Sequence, residues 1–515
     1  MRDVARRRTE DAMSRISRRS LLTSGAAAGV LAASGMALMA APRAGGTLRA
    51  AVAGGSPLDS WDSRTHSGLF MLVAAHGAVF DCLTEVGPDG ALRGELAESW
   101  EASADARIWT FNLRKGVEFH NGKRFGAEDV LESLALHMGP GNASPAAPLL
   151  ANVSELRKVH EHQVQFHLSA PNADFPYLMA DYHLIIYPAG YVELAMENGI
   201  GTGLFRLENF EPGKRLSARR VASHYKGTSA GFFAEIELIN ENGDQTRLDA
   251  LGRGHVDVAS QIAPSLARQV EGWDAVELQR IAGNQHFSFA MNASVSPFDR
   301  ADLRRAVKFG IDRNVFVEAV LHGHGRVAHD TPIGPSNQYY ATDLEPIHHD
   351  PDLARHYLRK AGVDRVAMTS TGYAFADAEL AGGLVRDQLR SIGLDVSMTD
   401  MHNTAALTMG GSSGRVTEDW AFSTYYADGA SWNTSDWQHP LFQNLLLTAR
   451  SELDGKRRRA HYTDMQQLLR DEGPVAIPAF ADHLFATRDT IRRPATMGNV
   501  WSLDNARLAE RWWHA

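Results

Sequence analysis

The chain has 515 residues, with 52 lysines and arginines against 61 aspartates and glutamates, a formal charge of −9 at neutral pH. An apolar content of 44% with 22% charged residues excludes intrinsic disorder, and the lack of a basic excess excludes a broad nucleic-acid-binding surface. The single cysteine, Cys82, excludes an intrachain disulfide, a cysteine-rich zinc module and a four-thiolate iron–sulfur cluster, while the length calls for more than one hydrophobic core.

Residues 1–44 differ from the remainder. Arg2, Arg6, Arg7, Arg8, Arg15, Arg18, Arg19 and Arg43 outnumber Asp3, Glu10 and Asp11, and a weakly apolar run rich in alanine and glycine extends from Leu21 to Ala41. A basic head, an apolar middle and a small-residue tail read as an export signal. Ser17-Arg18-Arg19-Ser20-Leu21-Leu22 resembles the twin-arginine motif, whose pathway exports folded proteins; a general secretory signal that carries two arginines is the alternative. Cleavage is expected between Ala40 and Ala44. No cysteine lies near that point, so the mature chain is expected to be soluble in the periplasm, without a lipid anchor and without membrane insertion. It is also more anionic than the whole chain.

Beyond the leader, Trp109, Phe111 and Leu113 alternate as one face of a strand, and Val164, Phe166 and Leu168 do the same. Between them, Ala127–Met138 reads as a helix with Val130, Leu131, Leu134 and Met138 on one stripe and Glu128 and Asp129 at its positive end. Arg300–Leu321 is a second helical stretch, with Leu303, Val307, Val315 and Ala319 at helical spacing. A third helix starts near Ala376, buries Leu380, Leu384 and Ile392 and stops at Gly393. A fourth, Lys456–Arg470, opens on a basic run that reads as a solvated face. Strands interleaved with helices over this length indicate an α/β protein of more than one lobe.

Several stretches carry a more specific message. Gly94-Glu95-Leu96-Ala97-Glu98-Ser99-Trp100, then Trp109-Thr110-Phe111-Asn112-Leu113-Arg114-Lys115-Gly116-Val117-Glu118-Phe119-His120-Asn121-Gly122-Lys123, then Ala127-Glu128-Asp129-Val130 resemble the signature of the extracellular solute-binding proteins of oligopeptide/dipeptide/nickel ABC importers. Gly45-Gly46-Thr47-Leu48-Arg49, Gly201-Thr202-Gly203-Leu204-Phe205 with Phe210-Glu211-Pro212-Gly213, Leu251 through Asp257, and Arg304-Arg305-Ala306 with Ile311-Asp312-Arg313 agree with that family in the same order. Leu204 departs from it, since the family usually has proline there. The resemblance implies an α/β, two-lobed periplasmic-binding-protein (Venus-flytrap) fold of the large peptide-binding type, with an extra subdomain inserted in the first lobe. On that reading the first lobe comprises residues 45–80, 204–287 and 483–515, the inserted subdomain 81–203 and the second lobe 288–482. The chain crosses between lobes twice and closes on its ligand by a hinge. The implied partners are a small peptide or peptide-like ligand and the ABC permease with its ATPase subunits in the inner membrane. The receptor itself is expected to be a monomer with no cofactor, no metal and no enzymatic activity.

In the peptide-binding members an aspartate in an aromatic-x-Ala/Gly-Asp context holds the ligand's α-amino group. Tyr425-Tyr426-Ala427-Asp428 matches that context, with the tyrosines read as the end of a strand; a loop aspartate capping its own turn is the alternative. The continuation Gly429-Ala430-Ser431-Trp432-Asn433 departs from the family, which leaves open a non-peptide solute such as an oligosaccharide, an opine-like compound or a nickel chelate. Trp432 and Trp437 are candidate pocket walls, with core packing the alternative. His66 and Ser67, after the first strand, are candidates from the other lobe. Gly410-Gly411-Ser412-Ser413-Gly414 has the form G-x-S-x-G, but a nucleophile elbow needs a helix directly after it, and a flexible loop is the expectation. His322, His324 and His329 lie in a glycine-rich stretch without metal-ligand spacing.

Overall fold

A computed structural model describes residues 42–139, 141–371, 376–399, 406–430 and 432–515. The export-signal reading falls on positions up to 41 and lies outside these residues. Two long strands organise the rest. Val276–Met291 and Ala479–Arg488 pair antiparallel in the middle of a 12-stranded sheet. At one end Leu278, Leu484, Phe485 and Ala486 face cores that also contain Leu48, Val52, Ile236, Leu251 and Trp512. At the other end Phe287, Phe289, Met291, Ala479 and Ala481 enter a core with Leu303, Val307, Val385 and Leu407. Between the two ends the register slips from Ile281 to Gln285, a bulge that locally breaks the ladder.

On one side of this pair the sheet continues through Val258–Ala259, Thr47–Val52, Glu235–Asn240, Arg215–Arg220 and Phe205–Glu211; on the other it continues through Leu407–Ser412, Arg365–Ser370 and Asp395–Met398. Thr47–Val52 runs parallel to both its neighbours, so its connections must cross over rather than turn back. The crossover also carries a separate four-stranded antiparallel sheet, Ala97–Ala102, Ile108–Leu113, Gln163–Leu168 and Val153–His160. Its two inner strands bury alternate residues, as their period-2 pattern predicts, and the helix Ala127–Ala135 closes that core with Val130 and Leu134. The result is a two-lobed α/β fold.

Glycines in the Gly201-Thr202-Gly203 turn are required by close approach. A Cβ at Gly201 would lie 2.1 Å from the Val79 carbonyl oxygen and one at Gly203 2.3 Å from that of Ala78. Thr202 between them donates to the buried Asp81 at 2.8 Å.

Four expectations need correction. The stretch Arg300–Leu321 is two helices, Ala301–Gly310 and Arg313–Leu321, because Asp312 caps the second through Val315 N; Val315 itself is 44% exposed. In the helix Ala378–Ser391 the inward face is Ala381, Val385 and Leu389, while Leu380 points out, since Asp377 caps the helix at Leu380 N. The basic opening of Gly455–Asp471 is not wholly solvated: Arg458 is buried against Asp174. Finally, Glu418–Tyr425 is a helix capped by Thr417, and Gly410 to Ser412 end a strand rather than form a flexible loop.

A buried network of charges ties three distant stretches together. Lys226 Nζ lies 2.9 Å from both Glu95 and Glu510 and 3.5 Å from Glu85. Arg507 reaches Glu95 at 2.7 Å and Glu510 at 2.8 Å, and Arg511 pairs with Glu85 and Asp504. Glu85, Glu95 and Glu510 are close enough to ligate a cation, but Lys226 and Arg507 already occupy that role. Replacing Arg507 by Met leaves three buried carboxylates short of positive charge and should lower the unfolding free energy by about 3–5 kcal/mol, measured by urea denaturation at pH 7. A change within experimental error would show that Lys226 alone suffices.

Buried histidines set the acid limit. Burial lowers His66 to about 3 and His137, His286 and His483 to about 4, so the native protein refuses protons that the unfolded chain takes up below its ordinary 6.5. Their contribution is complete above pH 6.5 and is lost as the pH falls. Burial raises Glu95 and Glu418 to about 7, which acts oppositely: their contribution is present below pH 4.5 and lost as the pH rises through 7. The histidines outnumber the glutamates, so Tm should fall as the pH is taken from 6.5 to 4.5. A Tm that rose over this interval would show that the two glutamates dominate.

Candidate functional site

The two lobes enclose a cleft of about 380 Å³. Val86, Asp89–Leu92, Asp174 and Tyr177 line it on one side, Ser336–Gln338, Ser413 and Arg415–Glu418 face them, and Asn284, in the bulge of the long strand, forms part of the wall. A larger concavity beside His137–Val153 lies within one part of the fold and brings no opposing charges together.

The wall between Ser412 and Glu418 is pinned residue by residue. Ser412 Oγ accepts from Gly414 N at 3.1 Å and shares a 2.8 Å hydrogen bond with the Tyr425 hydroxyl. Gly414 takes a positive φ of +83° with its α-carbon against Asn284, where a Cβ would approach within 2.7 Å. Asn337 donates to the carbonyls of Arg415 (3.1 Å) and Val416 (3.2 Å) and accepts from Asn284 (2.6 Å). Thr417 then caps the helix Glu418–Tyr425. This frame presents Arg415, whose guanidinium carbon lies 5.7, 5.2 and 5.6 Å from the ring centres of Trp420, Tyr425 and Trp432.

A second set of contacts bridges the cleft beside it. Arg458 pairs with Asp174 at 2.6 Å, both nearly buried, and packs over the Tyr339 and Tyr462 rings. Ala173 N donates to the Arg450 carbonyl (2.8 Å), while Arg450 holds Asp419 at 2.9 Å. Trp420 reaches across to pack against the core of the four-stranded unit. Glu418 accepts from Tyr339 N at 2.6 Å, and burial raises it to about 7.

The sequence candidates are dispersed over this geometry. Tyr425 is half-buried at Arg415, and Trp432 is 58% exposed with its ring 6.1 Å from that of Tyr425. Asp428 is exposed on the turn after the helix, followed by Gly429 at φ +70°. Tyr426 and Trp437 pack with Phe422 and Phe442 in a core. His66 is buried with its carbonyl accepting from His183 Nε2 at 3.2 Å, and Ser67 is exposed ahead of the short helix Gly68–Met71. Arg415, Arg458 and Asp174 were not singled out from sequence; a lone arginine after a glycine run carries no periodic signal. Ser412 does not form a nucleophile elbow, because its hydroxyl is engaged by Tyr425 and the next helix starts only at Glu418. His322 ends a helix in the left-handed conformation and His329 accepts from Ile347 N; among the described residues neither joins His324 in a metal-ligand group.

Residues 91–452 match the family described as bacterial extracellular solute-binding proteins, family 5 middle. The chain belongs to this family. It is 24% identical over 432 residues to the dipeptide-binding protein of Escherichia coli K12, spanning 75% of this chain and 80% of that one. It is 26% identical over 415 residues to a probable D,D-dipeptide-binding periplasmic protein of the same organism, spanning 74% and 78%. The fold matches a periplasmic binding protein of Agrobacterium tumefaciens R10 in complex with agropinic acid, with a TM-score of 0.77 at 21% identity over 91% of this chain and 99% of that one. It also matches the Helicobacter pylori protein DppA in complex with the peptide STSA, with a TM-score of 0.76 at 20% identity over 91% and 98%. This family-5 protein therefore has the two-lobed α/β periplasmic-binding-protein fold and, like its relatives, is a binding protein rather than an enzyme. Among the described residues no helix is long and apolar enough to cross a membrane.

If Asp174–Arg458 latches the lobes, Arg458→Met should open the ligand-free protein. Small-angle scattering is expected to show a larger radius of gyration than wild type, with Tm lowered. Unchanged scattering with a folded variant would show that the pair does not hold the lobes together.

Proposed function

We propose that this family-5 protein is the periplasmic receptor of an ABC importer, capturing peptides or peptide-like solutes in the cleft and delivering them to an inner-membrane permease and its ATPase subunits. The observation that carries this reading is the cleft itself. Its walls come from two lobes joined through strands with a bulge at the crossing, so a ligand touched from both sides favours the closed form. The printed descriptions of the relatives as dipeptide-binding and D,D-dipeptide-binding proteins support the ligand class. We assign lobe one to residues 45–80, 204–287 and 483–515, the inserted subdomain to 81–203 and lobe two to 288–482, with a twin-arginine leader over residues 1–44 and a monomeric receptor after export.

Within this reading Asp428 salt-bridges the ligand's α-amino group, with the half-buried Tyr425 and the exposed Trp432 as its aromatic surroundings and Ser67 contributing from lobe one; Tyr426 and Trp437 back these rings from the core, and the buried His66 takes no direct part. Asp428 is exposed, so its pairing strengthens only as a ligand covers it. Asp428→Asn should weaken a free dipeptide about tenfold, ~1.4 kcal/mol, while leaving the N-acetylated form unaffected, both measured by isothermal titration. Equal affinity of wild type and variant for the free dipeptide would remove Asp428 from the site. The departure at Gly429 to Asn433, with the fold match to the agropinic acid complex, favours an opine-like solute as the second reading. Tight binding of an amine-blocked ligand with no response to Asp428→Asn supports it.

A further inference from the structure

We infer that Arg415 is the anchor for a ligand carboxylate, held in advance of binding by the Ser412–Thr417 turn and its aromatic cage; this deepens the receptor reading and rests on it. Carboxylates around the cleft are already engaged. Asp174 pairs with Arg458, Glu418 accepts from Tyr339 N, and Asp89 pairs with Arg93 at 3.0 Å. Arg415 differs. Its Nη1 donates to the Gly414 carbonyl at 2.8 Å, its Nε has no partner, and no carboxylate pairs with it among the described residues.

Geometry narrows the chemistry. Three aromatic rings surround the guanidinium within 6 Å of their centres, an arrangement suited to its faces, whereas hydrogen bonds form in its plane. Nε and Nη2 make the fork that matches the two oxygens of a carboxylate. A partly buried guanidinium whose buried Nε lacks a partner, beside a cleft, is costly without a ligand, and an anionic group that reaches it removes that cost. The turn supports the same role. Gly414 excludes a side chain beside Asn284, Asn337 fixes the carbonyls of Arg415 and Val416, and Ser412 ties the turn to Tyr425, one of the caging rings. The G-x-S-x-G stretch thus serves as the mount for a cation.

The test is isothermal titration of wild type, Arg415→Gln and Arg415→Lys with the dipeptide Ala-Leu, its C-terminal amide, an N-acetyl amino acid and gluconate. Wild type should bind the tightest carboxylate probe at least tenfold better than its amide counterpart. That preference should vanish in Arg415→Gln and be partly kept in Arg415→Lys, which retains the charge but not the fork. Trp420 and Trp432 fluorescence should change as the carboxylate binds wild type. Should Arg415→Gln fail to fold, the Lys variant still decides: full retention of the acid preference overturns the assignment. Equal binding of acid and amide by wild type overturns it while leaving the receptor reading intact. Binding of gluconate or the acetylated amino acid alone, abolished by Arg415→Gln, sustains Arg415 and overturns the peptide reading. Silence of every carboxylate probe counts against Arg415.

Discussion

The pairing of Val276–Met291 with Ala479–Arg488 is the constraint on which the remaining structure depends. Both strands feed cores at each of their ends, so neither lobe can be rearranged without changing what the other packs against. The register slip between Ile281 and Gln285 concentrates the irregularity at one place, and the residues there serve the cleft directly. Asn284 belongs to the bulge, holds Asn337 and packs against Gly414. A bulge that re-aims a strand therefore also braces the wall that faces the other lobe.

Charge is used in two physically different ways. The network of Lys226, Arg507 and Arg511 with Glu85, Glu95, Glu510 and Asp504 lies deep in the fold and joins the stretch from Glu85 to Glu95 to that from Asp504 to Arg511. Every desolvated carboxylate there has a cation, which is the condition for burying it at all. The Asp174–Arg458 pair and the Ala173–Arg450 contact instead span the cleft, between two cores. A contact that joins two lobes weights their relative positions rather than the folding of either one. Arg415 completes the contrast as a cation to which no carboxylate is paired among the described residues.

Local features of the sequence were good guides to local structure. Alternation in Trp109 to Leu113 and Val164 to Leu168 produced strands buried on that face, because period 2 leaves one pleat surface for a core. The ordered stretches from Gly45 to Arg313 identified the family, and the glycines at 201 and 203 proved to be places where chain passes chain. Errors arose where a cap overrode periodicity, as at Asp312, or where an aromatic run looked extended although Thr417 starts a helix. The site was less legible. Tyr425 and Trp432 were named as wall residues, but nothing adjacent to them in sequence reveals that an arginine ten positions before Tyr425 stands among them.

By itself the sequence determined the α/β character, the family and the faces of the alternating strands, because those follow from spacing over a few residues and from the order of motifs. Only the tertiary structure decided which charges meet. Asp174 and Arg458 are remote in sequence, as are Glu95 and Arg507, yet each pair closes within hydrogen-bonding distance once the strands cross. The physical reason is that periodicity reports which face a residue shows, whereas the partner on that face is fixed by topology. For a basic run such as Lys456-Arg457-Arg458-Arg459, one helical turn separates solvent from a buried carboxylate, and only the docking of another element chooses between them.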